Sequence, residues 1–410
     1  MSIWTFTILW YLFCIGIIVD TRFFVYLTLS QTLVGGILLL VLASFAIIVQ
    51  IGNKSFSRLH FVQYLVLIWM GYLLLHALFM REAENYKLMY LEETLLLMLV
   101  LPNLLELQIL SKRTLENSIL LICAIQLGSL TMQFVGFANS YNDFFSITGL
   151  SDNPNVSAIL LAVCIPTLYS RMKRSNRRLL WTIPMLLSIL FIVLLKCRTA
   201  YIFLITVFAV RMILSDSVKL FWSKRSFFGK SSLIVVSFLT LLVFGLLFYR
   251  TKQASSEGRL LIWKVSTKMI QEHPTGIGIG MFEHDYNLRQ GEYFASGEST
   301  ERERYNSGTV NMAYNDFLEH CVEAGIPGFL FIISFYVYLM FLTYRRKDTE
   351  LFSYFSAVFL ISWLNFIYSS IQPWIVLMTY ASIAISQDIN MEPKRNGIAN
   401  KVIALGLLLL

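Results

Sequence analysis

Of the 410 residues, 57% are apolar or aromatic and only 14% are charged, about half the charged share of an ordinary soluble domain. This excludes a soluble enzyme, a secreted disulfide scaffold and a disordered chain. The net charge of +8 would suggest nucleic acid in a soluble protein, but in a membrane protein basic residues are first sorted by membrane side, and no nucleic-acid partner is expected.

Taken in chain order, apolar runs long enough to cross the hydrocarbon layer, about 20 residues each, predict an all-α integral membrane protein. About twelve transmembrane helices are expected, near 3–19, 27–51, 60–80, 88–110, 117–137, 153–170, 179–196, 199–214, 231–249, 325–344, 351–369 and 373–389. With the N-terminus inside, the inner loops collect Lys54, Arg58, Lys112, Arg113, the basic run 171–178, Arg211, Lys219, Lys224, Arg225, Lys230, Arg345, Arg346, Lys347, Lys394, Arg395 and Lys401. The short outer loops keep only Arg22, Arg81, Lys87, Lys196 and Arg198. That asymmetry places both termini in the cytoplasm. Residues 1–19 lack a basic leading segment and a small-residue cleavage site, so no cleavable signal is expected. The five cysteines have no metal-ligand spacing, and three of them lie inside apolar runs where cysteine behaves as a small hydrophobe.

The one long hydrophilic segment, 250–324, falls on the outer face and divides the single membrane domain. Nine helices precede it within 1–249, and three helices with a cytoplasmic tail follow within 325–410. Its first part, 258–272, has Leu261, Val265 and Met269 on one face and stops at His273-Pro274, which predicts an amphipathic helix lying on the membrane surface. A glycine turn follows at 275–282, and a third part from about 310 to 323 reads as helical up to Gly325-Ile-Pro-Gly328. Residues 401–410 are apolar but too short to span.

Four places could carry chemistry. Arg198 lies in a tight outer hairpin at the hydrocarbon boundary, where a guanidinium can fork onto phosphate oxygens or serve as a snorkelling anchor. Arg259 stands near the expected N-terminus of the loop helix, where the dipole favours acids over bases, which suggests an anion to be held. Asn315, Asp316, Glu319 and His320 could form a polar stripe facing a cavity, at helical spacing. Residues 151–155 (SDNPN) start a helix at Asn153-Pro154, for which capping suffices. Glu92 and Glu93 stand near the outer end of the fourth span, fewer buried acids than a transporter needs. No phosphate loop, paired-histidine metal motif or nucleophile elbow occurs, so no metal and no cofactor are expected.

Over about 149–330 these places together resemble the O-antigen ligase and O-antigen polymerase superfamily of bacterial polysaccharide assembly. The resemblance rests on 149–155 (GLSDNPN), the Arg198 hairpin, Gly258-Arg259 with Trp263, 273–280 (HPTGIGIG) with Phe282, and 313–319 (AYNDFLE). Asn315, nine residues and Gly325-Ile-Pro-Gly328 match the ligase-type signature in spacing, with Tyr314 at the position of the family's histidine. The resemblance implies a C-type glycosyltransferase-like fold in the bacterial inner membrane and a metal-independent glycosyltransferase. Its donor would be an undecaprenyl-diphosphate-linked oligosaccharide and its acceptor a glycan or lipid-linked sugar, with membrane lipids and other polysaccharide-assembly proteins as partners. It assigns diphosphate binding to Arg198 and Arg259. It puts catalysis at Tyr314, Asn315 and His320, with Asp316, Glu319 and His284 as further candidate bases. Tyrosine is a poor base at neutral pH but can orient a sugar. The absent histidine favours a polymerase of O-antigen, capsule or exopolysaccharide over a ligase that attaches glycan to lipid A–core. A flippase predicts midplane charges and an inverted repeat, neither evident, and a non-catalytic scaffold is the remaining reading.

Overall fold

The computed structural model describes residues 3–18, 27–52, 59–80, 86–226, 253–368 and 370–387. Helices account for all the regular structure among them: α1 (Ile3–Gly16), α2 (Leu27–Gly52), α3 (Phe61–Phe79), α4 (Tyr86–Glu106), α5 (Lys112–Val135), α6 (Pro154–Arg174), α7 (Arg178–Leu194), α8 (Arg198–Leu214), α9 (Asp216–Ser223), α10 (Gln253–Glu272), α11 (Phe282–Ala295), α12 (Glu301–Tyr305), α13 (Asp316–Arg345), α14 (Thr349–Ser362) and α15 (Ile371–Ser386). Of these, α3, α5, α6 and α13 are long and apolar enough to cross a membrane, and six further helices are apolar but shorter. The span expected at 231–249, the Glu93 side chain and the tail 401–410 lie outside the described residues.

Burial follows side-chain chemistry. Helix α15 has no charged residue and is buried on every side from Ile371 to Ile385, as a helix apolar all round must be. It packs on α4 and α6. By contrast α7 turns Leu179, Leu180, Ile183, Leu186, Leu190 and Val193 outward. A contiguous apolar face of this kind is stable against lipid and costly in water. At the ends expected to be cytoplasmic, Glu116 on α5 takes Arg171 at 3.1 Å and Arg174 at 3.5 Å from α6. Asn153 caps α6 by accepting from the Asn155 N–H at 2.9 Å, with Pro154 as first helical residue.

The loop segment 253–324 builds a small second core. Leu261, Ile262, Val265 and Met269 of α10 bury against Phe282, Tyr286, Tyr293, Val310, Ala313 and Val322. The apolar stripe read from the sequence is therefore real, and protein covers it: α10 packs on α11 and α13. Two expectations are corrected here. Helix α10 begins at Gln253, so Arg259 lies inside it and the helix-end argument for its charge lapses. The stretch 310–315 is a turn, and the helix starts only at Asp316.

Candidate active site

The turn at 363–368, between α14 and α15, is the point where the separated motifs meet. Asp316, fully buried, accepts from the backbone N–H of Ile367 at 2.9 Å and of Tyr368 at 3.1 Å, which fastens this turn to the start of α13. The Asn365 amide donates to Thr199 Oγ1 at 2.8 Å and so ties the turn to α8. The Leu364 carbonyl accepts from Arg259 Nη1 at 2.7 Å, bringing in α10. Phe366 meets Tyr314 edge to face, with ring centroids 5.5 Å apart.

Arg198 and Arg259 come together at this junction. Arg198 opens α8 directly after Lys196, whose left-handed φ of 50° makes the hairpin tight, and its Nη1 lies 3.5 Å from Ser256 Oγ on α10. Ser256 precedes Arg259 by three residues, hence on the same helix face. The Arg259 guanidinium lies 4.8 Å from the centroid of the Tyr314 ring. Burial, and after it the positive charge of Arg198, hold Arg259 below the ordinary guanidinium pKa. Two partly desolvated like charges side by side gain most from an anion that bridges them, because each desolvated charge without a partner is costly.

Tyr314 occupies this site in a strained backbone, φ 52°, a region that residues with large side chains rarely adopt. Its neighbour Ala313 is held on both backbone groups: the Glu319 carboxylate accepts from Ala313 N–H at 2.7 Å and the Trp263 indole donates to Ala313 C=O at 3.1 Å. Asn315 does not belong to a polar stripe; its side chain caps α13 by accepting from Leu318 N–H at 3.0 Å. His320 is fully buried between Trp69 and Tyr368, at ring distances of 5.3 and 5.1 Å, with Nδ1 3.1 Å from the Tyr368 hydroxyl. His284 sits exposed on α11, 2.6 Å from Asp285. The structure thus sets Arg259 against Tyr314, brings Arg198 to the same helix through Ser256, places Asn315 in a cap, and links His320 to the junction through Tyr368.

Two motifs find a backbone explanation. Gly325, at φ 70° and ψ −173°, interrupts α13, and there the turn at 273–280 docks. Ile277 N–H donates to Val322 C=O and Gly278 N–H to Glu323 C=O, each at 3.0 Å, while Ile326 N–H donates to Pro274 C=O at 2.9 Å. A Cβ on Gly325 would stand 2.3 Å from the Thr275 carbonyl carbon, and one on Gly276 would stand 2.3 Å from the Glu323 oxygen. From α3, Tyr72 donates to Ala324 C=O at 2.6 Å and His76 Nε2 lies 2.9 Å from Thr275 C=O. The 149–155 segment is fastened likewise by α5: Gln133 accepts from Thr148 and Gly149 N–H at 2.9 and 2.7 Å and donates to Gly149 C=O at 2.9 Å.

Sequence reasoning missed Asn365, Phe366 and Lys87 as members of this neighbourhood. The signal for the first was slight: a lone asparagine inside a stretch read as one end of a membrane span. Lys87 stood among the outer-loop charges with nothing to say what it faced.

These features define an all-helical, multi-pass membrane protein with paired arginines at a junction of a loop helix and two membrane helices. Residues 144–333 match the family model described as O-antigen ligase; the matched segment carries Arg198, Arg259, Tyr314 and the Gly325 break, and it supports a function of the O-antigen ligase and polymerase type in general. No curated protein matches the chain.

Proposed function

We propose that the protein is a polymerase-type glycosyltransferase of the bacterial inner membrane, transferring glycan from an undecaprenyl-diphosphate carrier to a sugar hydroxyl at the outer face. The observation that carries the reading is the meeting of Arg198 and Arg259, two guanidinium groups from separate elements, beside the Tyr314 ring. In the transfer the acceptor oxygen bonds to the anomeric carbon of the donor sugar, the bond from that carbon to the diphosphate oxygen breaks, and the acceptor proton is lost. Charge grows on the leaving diphosphate, and fixed donors aimed at that charge lower the barrier. Arg198 and Arg259 supply the charge that a divalent cation provides in other transferases. Tyr314, packed edge to face against Phe366, gives the sugar an apolar ring and one hydroxyl for orientation. Donor, acceptor, sidedness and metal independence all belong to this proposal.

The test is the surface polysaccharide of a deletion strain complemented with wild type, Arg198→Ala or Arg259→Ala at equal protein level. Products stalled at one repeat in the deletion and in both variants are expected, with wild-type transfer unaffected by a chelator. Arginine variants that make normal polysaccharide would sink the reading. The description of the matched family supports a ligase as second reading; it is the correct one if long chains accumulate on the lipid carrier instead.

A further inference from the structure

Lys87 on α4 lies outside the segment that matches the family, yet its ammonium is bound into the site from behind. It lies 2.6 Å from Glu319 Oε1 and 2.8 Å from Glu323 Oε1 and 5.9 Å from the centroid of the Tyr368 ring. Both carboxylates are fully or almost fully buried, one helical turn apart on α13. Two buried like charges at that spacing are tolerable only with a cation between them and hydrogen bonds on the remaining oxygens. The second oxygen of Glu319 takes the Ala313 N–H at 2.7 Å, directly before Tyr314 in its left-handed conformation. A continuous chain of contacts therefore runs from Lys87 through Glu319 and Ala313 to Tyr314. A second runs from Lys87 through the Tyr368 ring to the turn whose Leu364 holds Arg259.

We infer that Lys87 is a positioning residue of the transferase: its ammonium holds the Glu319 carboxylate aimed at the Ala313 N–H, and so holds Tyr314 and the 363–368 turn in the arrangement that meets the arginines. The inference rests on the transferase reading above. Without the ammonium, Glu319 and Glu323 face each other uncompensated. Their repulsion then turns one of them away, and the Ala313–Tyr314 turn loses what holds it against its strain. A displacement of this kind acts on turnover more than on substrate binding, since misplacement by about an ångström costs on the order of a hundredfold in rate.

The experiment uses membranes containing the full-length chain, supplied with lipid-linked glycan extracted from the deletion strain. Lys87→Met is expected to lower kcat by about tenfold or more with KM within about twofold of wild type, at unchanged accumulation and unfolding temperature in detergent. Lys87→Arg, which keeps the charge, is expected to restore most of the rate. In a Tyr314→Ala background Lys87→Met should have little further effect, because the two act through one turn. Should Lys87→Met not accumulate, Lys87→Met/Glu323→Gln removes a cation and a carboxylate together, keeps the net charge of the cluster, and is expected to show the same selective loss of kcat. Wild-type kcat in Lys87→Met, no rescue by arginine, full additivity with Tyr314→Ala, or a loss that tracks only the amount of folded protein would each overturn the inference while Arg198→Ala and Arg259→Ala remain inactive. If those arginine variants are active, it is the transferase reading that fails.

Discussion

At the scale of single residues, the site is a set of charges and rings whose value depends on what each one faces. Arg259 donates to a backbone carbonyl and lies against Tyr314, so its planar fork cannot be copied by a lysine. Arg259→Ala and Arg198→Ala are each expected to reduce transfer by about 10²–10³-fold, and Arg259→Lys to recover only a small part, as read from the consumption of lipid-linked glycan in membranes. Tyr314→Phe keeps the ring between Phe366 and Arg259, whereas Tyr314→Ala removes it. The alanine variant should therefore be the more damaged of the two, and equal losses would show that the hydroxyl alone matters. Asn315 illustrates how a motif residue can be structural: Asn315→Ala should cost about 1 kcal/mol of stability through the lost cap, and Asn315→Ser should restore it together with activity in the same thermal and transfer assays.

Between residue and molecule, the elements are joined by backbone contacts that side-chain motifs only hint at. The break at Gly325 and the turn at 273–280 interlock through three backbone hydrogen bonds, and neither position has room for a Cβ. Gly325→Ala is expected to cost about 1–3 kcal/mol from backbone strain alone, more with the clash, and to lower both the unfolding temperature in detergent and transfer. A glycine placed there for flexibility alone would tolerate the change. In the loop unit, Glu303 caps α12 through Thr300 and meets Lys264 at 2.9 Å. The backbone N–H of Thr300 first of all, then Lys264 and Tyr293, hold its carboxyl down to about 2. Because the folded value lies below the unfolded one, this contribution is complete above the usual carboxylate range and is lost as pH falls toward about 2. Faster hydrogen exchange at 298–307 on acidification below about pH 4, absent in Glu303→Gln, is the expected outcome.

Across the whole molecule, membrane helices and loop unit form one support for the junction. Helix α15, buried from end to end, and α4 behind it leave apolar residues of α7 and α8 exposed. The proposed sidedness predicts that a fluorescent-protein fusion at the C-terminus glows in the cytoplasm. An alkaline phosphatase inserted near Gly297, at an exposed turn after α11, should be active outside. The reverse pattern would invert the topology and remove the outer-face assignment with it.

The all-helical, apolar character of the chain was legible in the sequence because a bilayer imposes a length and a polarity on each segment, while of the twelve spans read there four described helices are long and apolar enough to cross. The start of α6 at Asn153-Pro154, the stripe of α10 and the break at Gly325 all announce themselves through local chemistry: a capping side chain, a 3.6-residue period, a glycine. What tertiary structure alone decided is which groups share space. Asn365 joins Thr199 across 166 positions of chain and Lys87 joins Glu319 across 232, and no local pattern encodes such pairings. The same applies to the cover over the α10 stripe, since a helix face shows that it must be buried but not by what. It applies again to Asn315, which satisfies a helix end, and to His320, which lies between two rings. In each case the residue type permits several partners, and only packing in three dimensions selects one.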